Sequence, residues 1–455
     1  MSSNEMRLRT ENPKKLLLSL AIPAICAQII TLLYNMVDRM FIGRMPDGAM
    51  AIAAIGLCVP ITTVFNALTG LFGRGGAPYA AINMGREDYD KAERYLGNSF
   101  ACLVFFSILI TIIVSLLKKP LLLAFGASPV TLPYALDYLG VYCLGTLFIQ
   151  LTVGMNYYIT TQGFAKTAMM TTIMGGILNI ILDPIFIFTL HLGVKGAALA
   201  SVLAQMLSCM WALKFLFGKR TKLKISFAKM KIDPHVMKDI LTLGASPFFM
   251  SASEGILHIC FNMQILKYGG DLAVAAMTIL FSMYQFILLP IEGVASGSQP
   301  IISYNYGAHQ FSRVKETLSL ALKTTIVISV AATLCMLIKP DLFIRIFNSD
   351  PDLIAIGVPM LRIYIFGCML MGANSTFQQT YNSLGAGKYS FFFAFLRKVI
   401  LLIPLLYLLP AFLPFGVFAV VLAEPISDWI TVGCNAMNFR RFLNHQLTKD
   451  SSLPS

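Results

Sequence analysis

The chain runs again and again through about 20 apolar residues without interruption, the length a helix needs to cross the ~30 Å hydrocarbon core of a bilayer. Twelve such runs are expected: Leu16–Ile42, Met50–Leu71, Leu96–Leu117, Leu132–Tyr157, Ala168–Leu190, Gly196–Phe217, Ile240–Leu266, Leu272–Ala295, Thr317–Ile338, Leu353–Thr380, Ser390–Leu409 and Phe415–Met437. Composition agrees. Of 455 residues, 57% are hydrophobic and 13% charged, with mean hydropathy +0.73; soluble domains run near 45–50% apolar and ~25% charged. A soluble protein this apolar could not cover its surface, and collagen, disordered and disulfide-scaffold classes are excluded. Nine cysteines lie mostly within apolar runs with no CxxC pair, which reads as small packing residues in helices. The first run has no small-residue cleavage pattern, so it is expected to be a retained span.

An even number of spans puts both termini on one side. The N-terminal tail, the even-numbered connections and the C-terminal tail hold 26 of the 35 Lys and Arg, counting Lys323, Arg397 and Lys398 near span ends. Basic residues favour the cytoplasm, so both termini are expected there. Lys214–Lys238 carries eight of them and reads as the linker between two halves. Those halves repeat. Pro78/Pro300, Asn83/Asn305, Gly85/Gly307, Pro129/Pro351, Tyr142/Tyr364, Gly145/Gly367, Gly163/Gly385 and Lys166/Lys388 share an offset of 222, and Gly193-Val194 matches Gly416-Val417 at 223. A register held across more than 100 residues exceeds what shared hydrophobicity produces. The expected fold is an all-α integral membrane protein: twelve transmembrane helices in two six-helix bundles related by pseudo-two-fold symmetry. The expected division is an N-terminal lobe 1–217, a cytoplasmic basic linker 218–238, a C-terminal lobe 239–440 and a cytoplasmic tail 441–455. In transporters built from parallel repeats, substrate binds between the halves, and their rocking exchanges access.

No enzyme constellation is present: no Walker loop, GxSxG, HExxH or C-x2-C metal pair. Gly73-Arg74-Gly75-Gly76 leaves a span and follows no strand, so a turn at the cytoplasmic edge is expected there, not a phosphate cradle. Of five scattered His, only His258 falls in a span, where a packed residue is expected. What remains is the set of ionisable residues within spans, which are costly in hydrocarbon and mark ion or substrate pathways by default. These are Asp38, Asp137, Asp183, Glu254, Glu292, Arg362, Arg397, Glu424 and Asp428. Asp137 and Arg362 lie near span starts and are expected to snorkel or pair; Arg397 and Asp428 are expected to pair with neighbouring polar groups. Asp38 and Asp183 resist that reading. Asn179 and Asp183, four apart, stack on one helical face, and Pro184 removes the helical bond to the Ile180 carbonyl. Asn, Asp and a loosened carbonyl suit Na+, whereas Asp alone suits H+.

The twelve spans in two repeats, Val37-Asp38-Arg39-Met40-Phe41-Ile42-Gly43, Asn179…Asp183-Pro184 and Gly196-Ala197-Ala198-Leu199-Ala200-Ser201 together resemble the multidrug and toxin extrusion (MATE) family over residues 10–440. The likeness is to its bacterial multidrug-resistance branch with a cation site in the N-terminal lobe. It implies a secondary antiporter that exports organic cations, drugs or amphipathic metabolites in exchange for Na+ or H+ by alternating access. It also implies a cation-coupling set of Asp38, Asn179, Asp183 and Ser201, with Ser where Thr is usual. A second branch uses a seventh-span Glu and a tenth-span Asp. Glu254 resembles the first, but Asn374 and Ser375 stand in the tenth span with no Asp. Glu254 is therefore a candidate second-lobe ion or substrate contact.

The 24 Met and 33 Phe are mostly packing or lipid-facing residues, although thioethers and ring faces also suit adaptable binding of organic cations. The alternatives are a lipid-linked precursor flippase of the same broader fold and a membrane-embedded lipid enzyme. A flippase for an anionic headgroup calls for several intramembrane Arg or Lys; an enzyme calls for a catalytic cluster. The expectation is no enzyme, no cofactor beyond the coupling ion, no nucleic acid, and a monomer in the bacterial cytoplasmic (inner) membrane with lipid and small molecules as partners.

Overall fold

In hydrocarbon a backbone must satisfy its own N–H and C=O groups, which leaves helices or closed barrels. The computed structural model describes residues 3–348 and 350–449; these contain helices and no strand, and the far end of the expected tail, 450–455, lies outside them. Eleven helical regions are long and apolar enough to cross a membrane when the bent pair Thr131–Leu144 and Thr146–Thr161 counts as one. One of them, Pro234–Gly307, is 74 residues long. At 1.5 Å per residue it would span ~110 Å, several bilayers. Gly270, at φ 68° and ψ −172°, breaks it into two crossings. The twelve helices are α1 Pro13–Gly43, α2 Gly48–Gly85, α3 Tyr89–Ala124, α4 (the pair bent by 54°), α5 Ala165–Thr189, α6 Gly193–Phe217, α7 234–269, α8 271–307, α9 Phe311–Ile338, α10 Pro351–Ser383, α11 Gly387–Phe412 and α12 Val417–Gln446. Large apolar side chains such as Leu116, Ile338 and Phe412 stay 77%, 74% and 80% exposed. That is a surface for lipid.

The repeat seen in sequence recurs in backbone geometry. Glu87 and His309 both take positive φ (63° and 56°), as do Gly163 and Gly385 (83° and 74°) and Gly193 and Gly416 (55° and 57°). The bend of α4 at Gly145 has its counterpart in α10, which tightens into a 3-10 turn over Gly367–Leu370. The contacts match too: a Cβ on Gly145 would meet Val202, and one on Gly367 would meet Pro425, 223 residues beyond Val202.

The chain forms two compact units. One takes in Ile22–Ser251 with the N-terminal stretch up to Glu11; the other takes in Ala252 onward with Asn12–Ala21. Each has its own apolar core, the first including Ile42, Phe65 and Leu139, the second Phe261, Met277 and Tyr364. Residues 218–233 of the basic linker belong to the first unit. Gln162 Oε1 accepts from Thr221 Oγ1 (2.8 Å), Lys222 N (3.0 Å) and Leu223 N (2.9 Å), and Leu223 is fully buried.

Two expectations are corrected. The spans expected to end at Leu71 and Ala295 continue as helix to Gly85 and Gly307. Gly73–Gly76 accordingly forms no turn. The sequence passes through a widened π turn, Gly70–Arg74, into more helix. Its glycines serve close packing: a Cβ on Gly75 would fall 2.3 Å from the Ile240 carbonyl, and one on Gly76 2.0 Å from Tyr158 Oη.

Candidate functional site

Within the first unit, small residues let three helices approach closely enough to share polar groups. Gly176 on α5 faces Ile30 and Tyr34 of α1, at 3.3 and 3.4 Å from where a Cβ would stand. One turn further along each helix come Asp38 and Asn179. Gly196, near the start of α6, lies against the backbone of Phe186, where a Cβ would stand 2.7 Å from the carbonyl. That approach sets Ser201 beside α5. Directly after Pro184 the helix widens into a π turn, Ile185–Thr189, so the helix loosens at the point where proline removes its donor.

The four residues of the expected cation set meet. Asn179 Nδ2 donates to Asp183 Oδ1 and to Ser201 Oγ, both at 3.2 Å. Asp38 and Asp183 are close enough for each carboxyl to feel the other. Asn179 and Asp183 are 2% and 0% exposed. Three acceptor oxygens on these residues are buried with no donor among the described residues: Asp38 Oδ1, Asn179 Oδ1 and Asp183 Oδ2. Buried polar atoms are normally paired, and an orphan asks for an explanation. Three orphan oxygens beside a hydroxyl suit a hard monovalent cation, or a proton shared between the carboxyls. Beside them stands a ladder of rings. Tyr138 stacks on Tyr142 (centroids 5.5 Å apart) and Tyr142 on Phe65 (6.5 Å), and Tyr34, Tyr138 and Tyr142 are close enough to feel the Asp38 charge.

The MatE family model matches this chain twice, over residues 23–185 and 248–408, once in each repeat. The chain belongs to the MatE family. The resemblance carried by Asp38, Asn179, Asp183 and the repeat is thereby upheld. Among relatives of this MatE protein, the multidrug export protein MepA of Staphylococcus haemolyticus (strain JCSC1435) is 26% identical over 438 residues, covering 96% of this chain and 95% of its own. MepA of Staphylococcus aureus (strain MSSA476) is 26% identical over 442 residues, covering 96% of each. A MATE protein crystallised in the bent conformation superposes with a TM-score of 0.93 at 23% identity, over 100% of both chains. A MOP superfamily transporter from Pyrococcus furiosus gives 0.91 at 24% identity, covering 98% of this chain and 99% of its own. The twelve-helix fold is the one these structures share, and membership in a family of transporters answers the enzyme alternative.

Most of the other ionisable residues of this MatE protein find polar partners. Asp137 Oδ1 meets Lys195 Nζ at 3.2 Å, and Glu292 Oε1 accepts from Ser375 Oγ at 3.2 Å. Arg397 pairs with Asp428 and Glu424 (2.5 and 2.7 Å), as expected for Arg397 and Asp428. Glu254 belongs to the second unit, where Lys398 Nζ donates to its Oε2 at 2.5 Å. Asn374 accepts from Asn435 (3.3 Å). Lys398 is the residue sequence reasoning missed, because it was assigned to a span end. The signal was two adjacent cations in the middle of an apolar run, Phe391–Leu409.

Proposed function

We propose that this protein is a secondary active antiporter of the bacterial plasma membrane, exporting organic cations, drugs or amphipathic metabolites in exchange for Na+ or H+. The observation that carries this is the group of three buried, donorless oxygens on Asp38, Asn179 and Asp183 beside the Ser201 hydroxyl. Two carboxylates this close and out of water resist joint ionisation unless a cation lies between them. An ion arriving from outside would tie α1 to α5 and α6; its loss to the inside would release them. Cargo favouring the opposite arrangement, or competing for the same charge, is then driven out, because coupling between two sites is reciprocal. The relatives named multidrug export protein support the cargo class. So does the Phe65–Tyr142–Tyr138 ladder beside Asp38, since ring faces attract organic cations. A flippase for anionic headgroups would call for available intramembrane cations, whereas Arg397 and Lys398 are engaged with carboxylates. The protein is proposed to act as a monomer with both termini cytoplasmic.

Purified protein in liposomes with imposed Na+ or H+ gradients provides the test. Asp38→Asn and Asp183→Asn should each reach the membrane at normal levels and lose gradient-driven export of a cationic dye such as ethidium. Wild-type-like export by both variants at matched expression would eliminate this ion site and move attention to Glu254.

A further inference from the structure

The second unit buries a charge cluster that the candidate ion site does not use. α11 carries Arg397 and Lys398 side by side on a widened π turn, Leu396–Leu402, a feature often found at functional positions. α12 carries Glu424 and Asp428, four apart on one face. Arg397 Nε donates to Asp428 Oδ1 at 2.5 Å, and its Nη2 to Glu424 Oε1 at 2.7 Å and Tyr284 Oη at 3.4 Å. Ser427 Oγ donates to the Arg397 carbonyl at 2.8 Å. The three charged side chains are 7%, 8% and 1% exposed. Asp428 Oδ2 is buried with no donor.

The repeat register gives this cluster its meaning. The offset of 222 that pairs Lys166 with Lys388 sets Arg397 opposite Gly175. The offset of 223 that pairs Gly193 with Gly416 sets Glu424 opposite Ser201 and Asp428 opposite Gln205. The one-residue step matches the lengths of α5 and α11, 25 and 26 residues. Contacts agree with the register: a Cβ on Gly175 would lie 3.8 Å from Gln205 Nε2, so the same two helices touch at the same level in both units. Where the first unit has the Ser201 hydroxyl, the second has a carboxylate, and a second carboxylate lies one turn further along, while the same offset of 222 sets Leu401 and Leu405 opposite Asn179 and Asp183. The space that is glycine in the first unit holds a guanidinium in the second.

We propose that Arg397 is a tethered cation occupying the carboxylate pocket at the second unit's counterpart of Ser201, so that ions exchange with solution only in the first unit. The proposal rests on Asp38, Asn179, Asp183 and Ser201 being the coupling site. A guanidinium keeps its charge at every physiological pH and donates through a planar fork that matches carboxylates. Held by Asp428, Glu424 and Tyr284, it supplies the charge an exchangeable ion would supply, and it cannot leave. One repeat then stays electrostatically fixed while the other gains and loses its ion, and each cycle is coupled through a single site.

The test uses the purified full-length protein and its melting temperature in NaCl, in low-millimolar guanidinium chloride, and in choline chloride at matched ionic strength. In the Asp38→Asn/Asp183→Asn background with Arg397 intact, Na+ should give no shift beyond choline. Adding Arg397→Ala to that background should lower the melting temperature, and guanidinium but not choline should recover it. Arg397→Lys, which keeps a tethered charge, should lose less and show no such recovery. Should Arg397→Ala fail to fold, the intact-Arg397 arm still decides. A Na+-specific shift there that disappears on adding Glu424→Gln and Asp428→Asn would overturn the proposal, as would Arg397→Ala protein that folds but ignores guanidinium. A Na+-specific shift that persists without Glu424 and Asp428 charges would sink the first-unit ligand set while leaving the second unit closed.

Discussion

In the proposed cation site Ser201 supplies one hydroxyl beside two carboxylates and an amide, and it also accepts from Asn179 Nδ2. Ser201→Ala removes a ligand and leaves that amide hydrogen without its acceptor. Losing a ligand oxygen that a buried charged group depends on costs about 1–3 kcal/mol, so the Na+ concentration for half-maximal export should rise roughly 5- to 150-fold. Proton-driven export, which needs only the carboxyls, should change much less. An equal loss under both gradients would remove Ser201 from the ligand set. At this scale the sequence was half legible. Asn179 and Asp183 announce themselves by a four-residue spacing in an apolar helix. Asp38 stands out only as a carboxylate deep in an apolar run, and Ser201 not at all, since nothing local says which face of α1 or α6 turns toward α5; Ser201 came from the resemblance. Arg397 and Asp428 were expected to pair with neighbours, but Lys398 and Glu254 lie 144 residues apart, and only the fold brings them together.

Helix crossings depend on residues that have no side chain. Where α2 passes the first turns of α7, a Cβ on Gly244 would lie 1.9 Å from the Leu71 carbonyl oxygen, whereas one on Gly56 would meet nothing within 4 Å. Backbone cannot yield as a flexible side chain can. Gly244→Ala should therefore cost about 1–3 kcal/mol through overpacking, and Gly56→Ala should be neutral or gain up to ~1 kcal/mol from helix propensity. Melting in detergent reads both, and equal melting temperatures would contradict the close crossing. The same chemistry explains the misread Gly73–Gly76. A glycine that permits a turn and a glycine that permits a close approach are identical in sequence; only the partner helix tells them apart. Helix length was misread for a related reason. Past Leu71 and Ala295 the residues become less apolar, which ends a hydrophobic run but need not end a helix.

For the whole molecule, the repeat was the most legible feature, because paired glycines and prolines mark backbone geometry that a duplicated fold must reproduce. The three matched positive-φ corners are that constraint made visible. Orientation rests on charge alone. Lys224 is exposed, so Lys224→Cys should resist a membrane-impermeant thiol reagent in intact cells and react once the cells are opened. Labelling from outside would invert the proposed topology.

The division of α1 between units has a consequence for biosynthesis. Asn12–Ala21 belongs with the residues from Ala252 onward, and Leu16, Leu17, Leu20 and Ala21 are buried to within 4% of full cover. These residues leave the ribosome well before the rest of the unit they belong to. At ~5–20 residues per second of synthesis, roughly 10–50 s pass before Ala252 is made and roughly 20–90 s before the unit is complete. During that interval their apolar faces can rest only against lipid or the insertion machinery. Completion of the second unit is therefore post-translational in order, whatever the first unit has already achieved.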